Sequence, residues 1–277
     1  MKRKWGAVAG LLASLLLLTS CGLFYSSETA QPTKEGTTSV QPEPSAIVTT
    51  VPSSSESPSA VLLASVVKRY DKTLLLAGTS GQAGEVYLVP YEEIPLLDTR
   101  GNSISPQQIQ PGKIVAVSHS GMVMETYPAQ IAPVQIQLKD EPVSAVSLYT
   151  KVLEELYKKD PGLNENIRIL AFDFTKAASL TPAEKSALCY WMGTAYQKET
   201  LEGTFEQLCQ EGYIDKEAMY FPDGLLFSIS DTVAENGTVK FSVSKWRSGL
   251  GAYGWDNCTA QRGEVGWAYE TGDAWIS

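Results

Sequence analysis

The stretch LLFSISDTVAENGTVKFSVSKW, Leu225 to Trp246, decides the fold. Asn236-Gly237 is the strongest short signal for a two-residue hairpin turn. Leu225, Phe227 and Ile229 before it, and Val239, Phe241 and Val243 after it, alternate with polar residues. Period-two alternation puts one face of a sheet in a core and the other toward water. Downstream, GAYGWDNCTA (251–260) and EVGWAYE (264–270) flank Gln261-Arg262-Gly263, and the chain ends on DAWIS. The last fifty residues or so therefore read as an antiparallel meander.

Upstream of that hairpin the period changes. In SAVSLYTKVLEELYKK (144–159), Tyr149, Val152, Leu153 and Leu156 make one apolar helical stripe, and Asp160-Pro161-Gly162 stops the helix. NIRILAFDF (166–174) is a buried-strand candidate. Thr181-Pro182-Ala183-Glu184 forms a capping box with proline at the first helical position. It opens a helix whose expected core face is Leu188, Trp191, Met192 and Ala195. A third helix runs from Thr204 to Gly212, a glycine suited to the left-handed position that closes a helix. Helices followed by a meander predict a two-layer α+β domain over 141–277, with cystatin-like and nuclear-transport-factor-like curved sheets as topological analogies.

Residues 60–140 carry short strands and turns instead: VLLASVVKRY, TLLLAG and GEVYLVP, a turn at Gly101-Asn102, then PGKIVAVSHSGMVMETY and APVQIQLKD. Five or six strands in this length predict a small all-β, OB-like barrel. The fold class expected is thus α+β, a barrel followed by the two-layer domain. The segment GMVMETYPAQI resembles a domain of small lipoproteins from Gram-positive bacteria, and KWRSGLGAYGWDNCTA with the terminal AWIS is similar to other lipoprotein domains of the same bacteria. Neither resemblance implies a chemistry.

The N-terminus agrees with that setting. Residues 1–20 place Lys2, Arg3 and Lys4 before an apolar run from Ala7 to Leu18, the pattern of a secretory signal. At roughly a dozen residues the run is shorter than the ~20 that span a bilayer. Leu18-Thr19-Ser20-Cys21 resembles the lipobox of bacterial lipoproteins, which implies lipidation at Cys21 and a membrane partner reached through that lipid. Residues 21–59 are rich in Ser, Thr, Pro and Glu and read as a disordered stalk, with a coil reach of about 35 Å. The expected location is the outer side of a cell membrane.

The first twenty residues hold three of the 22 basic residues and none of the 31 acids, so the chain from Cys21 onward carries a net charge of −12. Nucleic acid is disfavoured as a partner, because its binding rests on basic charge. Cys189, Cys209 and Cys258 allow at most one internal disulfide; burial as small apolar groups is the other reading. No motif implies a cofactor or a metal. Asp160, Asn164, Glu165 and Asn166 have the composition of a calcium loop without its spacing. Ser65 to Lys68 and Ser242 to Lys245 match S-x-x-K, but in strands, where that nucleophile geometry does not form. His119, the single histidine, is expected in an exposed hairpin turn.

The remaining candidates are aromatic. Trp246, Arg247, Tyr253, Trp255, Trp267 and Tyr269 fall on the last strands, with Tyr253/Trp255 and Trp267/Tyr269 at the i, i+2 spacing that shares a face. They either line a ligand surface or fill the helix–sheet core. The first alternative makes the protein a binding or interaction module for a cell-envelope polymer, peptide or protein. The competing class is an extracytoplasmic hydrolase using carboxylates such as Glu154/Glu155 or Asp256/Glu264, with no complete catalytic constellation legible.

Overall fold

The computed structural model describes residues 60–277 apart from 81 and 83. The expected signal segment, Cys21 and the expected stalk lie outside the described residues. Among the described residues, no helix is long and apolar enough to cross a membrane.

The first sheet contains β1 (Ala60–Arg69), β2 (Thr73–Gly78), β3 (Val86–Pro90), β4 (Leu96–Leu97), β5 (Ile114–Met124) and β6 (Ala129–Leu138). Antiparallel pairing runs β3-β2-β1-β5-β6, and a parallel pairing of Tyr87 and Leu88 with Ala129 and Gln130 closes β6 onto β3. The result is a five-stranded barrel with the short β4 laid beside β6. Ala64, Val66, Leu74, Leu76, Val115, Val117 and Ile136 fill its interior. Strand β2, TLLLAG, is apolar on both faces for a physical reason: Leu74 and Leu76 point into the barrel, whereas Leu75 and Ala77 belong to the core shared with the helices. Alternation along β1 likewise puts Val66 in the barrel and Val67 in the shared core.

The second sheet follows α1 (Val146–Lys158). Its elements are β7 (Ile169–Lys176), α2 (Pro182–Tyr196), β8 (Glu199–Glu202), α3 (Phe205–Gln210), β9 (Gly224–Val233), β10 (Val239–Ser248), β11 (Gly251–Arg262), β12 (Trp267–Glu270) and β13 (Asp273–Ile276). Strand order is β12-β11-β10-β9-β7-β8, with β13 also on β11. The hairpin β9–β10 forms with Val239 against Val233 and Val243 against Ile229; the amide of Ala234 donates to the carbonyl of Thr238 at 2.8 Å, so three residues, Glu235 to Gly237, close the turn and not the two expected. Strands β8 and β9 flank β7 in parallel, so the meander is antiparallel only from β9 onward.

Helices α1 and α2 form a middle layer. Tyr149, Val152, Leu153 and Leu156 of α1 and Leu188, Trp191 and Met192 of α2 share one core with Phe172, Phe227, Phe241 and Val243 of the sheet and with Val67, Leu75, Ala77 and Val86 of the barrel. One expectation for α2 changes: Ala195 is exposed. Cys189, off the expected stripe, is buried because the barrel covers that side of the helix, as the apolar reading of the cysteines has it. The capping box is present as read, the Thr181 hydroxyl accepting from the Glu184 amide and the Glu184 carboxylate from the Thr181 amide.

Candidate functional site: the open face of the second sheet

Strand β10 sorts its side chains strictly by parity. Phe241, Val243 and Lys245 face the helices and are buried, while Lys240, Ser242, Ser244 and Trp246 face the other way. At one end this second face is covered by α3, where Phe205, Leu208 and Phe221 pack with Ile169, Ala171, Leu226 and Trp246. Beyond that cover the sheet is open.

The open part is a polar trough in two adjoining sections. One, of about 360 Å³, lies over Ser230, Thr232, Lys240, Ser242, Asn257 and Thr259. The other, of about 250 Å³, shares Ser230 and Ser242 and adds Asp173, Lys176, Ser228, Ser244 and Asp256. Register builds the floor: Ser242 stands beside Ser230, and Ser244 beside Ser228 on one side and Gly254 on the other. A register shift between Phe241 and Val243, with Asn257 at φ 55°, turns the β11 edge and presents both Asp256 and Asn257 outward. Asp173 is turned toward its own strand, its Oδ1 accepting from the amide of Thr175 at 3.0 Å and its hydroxyl at 2.5 Å. Asn257 donates to Asp273 at 2.8 Å.

An aromatic ring stands beside the trough. Gly254 pairs with Trp275 of β13, and a Cβ at Gly254 would lie 2.5 Å from the indole ring. The missing side chain is therefore what seats the half-buried ring on the sheet, next to Ser244 and Asp256. Flat apolar area bordered by hydroxyls and carboxylates suits a ligand with alternating apolar faces and polar edges.

The six aromatic-region candidates do not form one surface. Trp255 and Trp267 are each 4% exposed within the shared core that also contains Leu153, Leu156 and Trp191, which corrects their reading as ligand contacts. The Trp267 indole donates to the carbonyl of Ser144 at 2.9 Å. Tyr253 packs edge-on against Trp255, and Tyr269 donates to Glu155 at 2.8 Å. Trp246 meets Phe205 beneath α3. Arg247 donates to the carbonyls of Leu163 and Glu165, so its guanidinium ties a loop instead of facing a ligand. The tryptophan that borders the trough is Trp275. Period two alone did not distinguish it from its neighbours, because parity tells which residues share a face and not which face is covered.

Other expected features also resolve. His119 is buried in β5 and its Nδ1 accepts from the Gly121 amide at 3.2 Å, so it is not an exposed turn residue. Ser242 and Lys245 sit on opposite faces of β10, as a strand requires. Glu154 pairs with Lys158 and Glu155 accepts from the Tyr269 hydroxyl. Cys189, Cys209 and Cys258 are all free thiols; burial pushes the Cys189 thiol well above its ordinary range.

The calcium-like loop holds a cation of the chain itself. Lys245, 0% exposed, donates to the carbonyls of Tyr157 and Asp160 at 3.1 Å each and to Asn164 Oδ1 at 2.8 Å. Burial pushes its ammonium down to about 8, against a smaller opposing pull from Asp160. All three ammonium protons have acceptors, so Lys245 ties the α1–β7 loop to the sheet. Among the described residues, no group of three His, Cys, Asp or Glu side chains is placed to hold a metal ion.

Comparison with known proteins finds no family model that matches the chain and no matching curated protein. The functional reading therefore rests on the geometry of the open face.

Proposed function

We propose that this is a lipid-anchored protein of the outer side of a Gram-positive cell membrane, whose second sheet holds a polyhydroxylated chain of the cell envelope. The observation that carries the binding reading is the trough itself, lined by the hydroxyls of Ser228, Ser230, Thr232, Ser242, Ser244 and Thr259, with Trp275 seated beside it on Gly254. Side-chain hydroxyls donate and accept at once, which matches sugar hydroxyls, and the indole offers a flat face to a pyranose ring. The acidic balance of the chain from Cys21 onward favours a neutral or amine-bearing glycan over a phosphate polymer. Anchoring at Cys21 would hold the trough within stalk reach of the membrane.

Tryptophan fluorescence of the full-length protein, titrated with soluble wall glycan strands, tests this. A saturable change is expected, and Trp275→Ala should remove it while the circular dichroism spectrum is retained. A flat titration overturns the reading. Shortening of the strands, abolished by Asp256→Asn, would instead favour the hydrolase alternative, because Asp173 and Asp256 line the same section of the trough.

A further inference from the structure

A second cavity, of about 280 Å³, lies where the barrel meets the β11–β12 end of the second sheet, and it is independent of the open face. Ser65 of β1, Ser144 ahead of α1, Thr181 and Glu184 at the start of α2, and Arg262 and Trp267 of the β11–β12 hairpin converge on it. It continues into a cleft beside Lys151 that shares Arg262 and Trp267.

Its two charges are unmatched. Glu184 is 4% exposed. One carboxylate oxygen accepts from the Thr181 amide at 3.0 Å, and the other accepts from the hydroxyls of Ser65, at 2.9 Å, and Ser144. Among the described residues, no lysine, arginine or histidine forms an ion pair with it. The start of α2 favours a negative group, but a buried carboxylate held only by dipoles is where a cation gains most. On the hairpin wall, the Arg262 guanidinium lies 5.0 Å from the centre of the Trp267 ring and has no carboxylate partner among the described residues. A capping box needs a single oxygen of Glu184; the other is the one that reaches the serines.

We propose that this junction pocket binds a free α-amino acid, its ammonium on Glu184 with Ser65 and Ser144, its carboxylate on Arg262, and its side chain toward the cleft. The volume is below that of drug-sized sites and suits a ligand of this size. Because the pocket joins barrel, helix layer and sheet, occupancy would stabilise all three together.

Isothermal titration and thermal unfolding of the full-length protein against the twenty amino acids, with propylamine and propionate as half-ligands, test the proposal. At least one amino acid should bind saturably and raise Tm, with both half-ligands weaker by about tenfold or more. Arg262→Gln, at an exposed side chain, should weaken binding by about tenfold or more with the unliganded Tm unchanged, and Glu184→Gln should abolish it. Should Glu184→Gln fail to fold, Arg262→Gln and Ser65→Ala still decide. No binding by any amino acid, binding indifferent to Arg262→Gln, or propylamine binding as tightly as the best amino acid would each overturn it.

Discussion

The two faces of β10 are one residue apart in sequence and opposite in environment. Phe241 and Val243 enter a core that joins sheet, helices and barrel, while Ser242 and Ser244 line an open trough. The first face is fixed by packing, where volume and shape decide the choice of residue. The second is free of that constraint, and beyond Lys240 it carries the small hydroxyl side chains of Ser242 and Ser244 over the trough. That contrast separates what holds the molecule together from what it offers to a ligand.

Trp255→Ala tests the covered face and should have the largest effect. The ring is 4% exposed in the shared core, next to Tyr253, and its removal should cost about 3–5 kcal/mol in denaturant unfolding. A cost below about 1 kcal/mol would show that the residue is not core and would return it to the candidates for ligand contact.

Lys245 breaks the parity rule from within, since it is a charged residue on the apolar face. Lys245→Met leaves the carbonyls of Tyr157 and Asp160 and the amide oxygen of Asn164 without their donor, and should destabilise by about 2 kcal/mol at neutral pH. Titration sharpens this further. The unfolded chain keeps the lysine proton to about pH 10.4, whereas the folded ammonium, pushed down to about 8, releases it earlier. Between these values Lys245 makes the unfolded state bind more protons, which by itself raises stability with pH. Buried Cys189 and Cys258 pull the other way, because thiols ionise from about pH 8.5 in the unfolded chain and these two are held above their ordinary range in the folded one; near pH 10 Tyr149, Tyr196 and Tyr269 do the same. The lysine is therefore read as a difference: in denaturant unfolding between these pH values the stability of the wild type relative to Lys245→Met should rise with pH, and a constant difference assigns the titration elsewhere.

Local patterns were the legible part of this fold. The Asn236-Gly237 hairpin, the α1 stripe and the Thr181–Glu184 capping box all depend on residues within a few positions of one another, and all are present. What escaped the sequence depends on neighbours far along the chain. The four-residue β8 and the parallel pairing of β7 with β9 are set by the α2 crossover and the loops around α3. Cys189 joins the core because the barrel covers α2 from a side its own periodicity does not record. The same limit hid the trough. Serines on alternate positions of β9 and β10 look like ordinary solvated residues until two strands in register and the Gly254–Trp275 contact make them a lined surface.

The smallest expected change in stability is at Gly254, and it is the sharpest test of the open face. A methyl group there would sit 2.5 Å from the Trp275 ring and 2.9 Å from the carbonyl of Val243. The ring belongs to a half-buried side chain on an edge strand and can swing away, but the Val243 carbonyl is strand backbone and cannot, so Gly254→Ala should cost about 1–2 kcal/mol. Its effect on glycan titration should nevertheless approach that of Trp275→Ala, because the ring loses its seat beside Ser244 and Asp256. If Gly254→Ala shifts the indole emission yet leaves glycan binding intact, Trp275 is not the wall of the site. Retained binding with unshifted emission would show instead that the ring does not rest on Gly254.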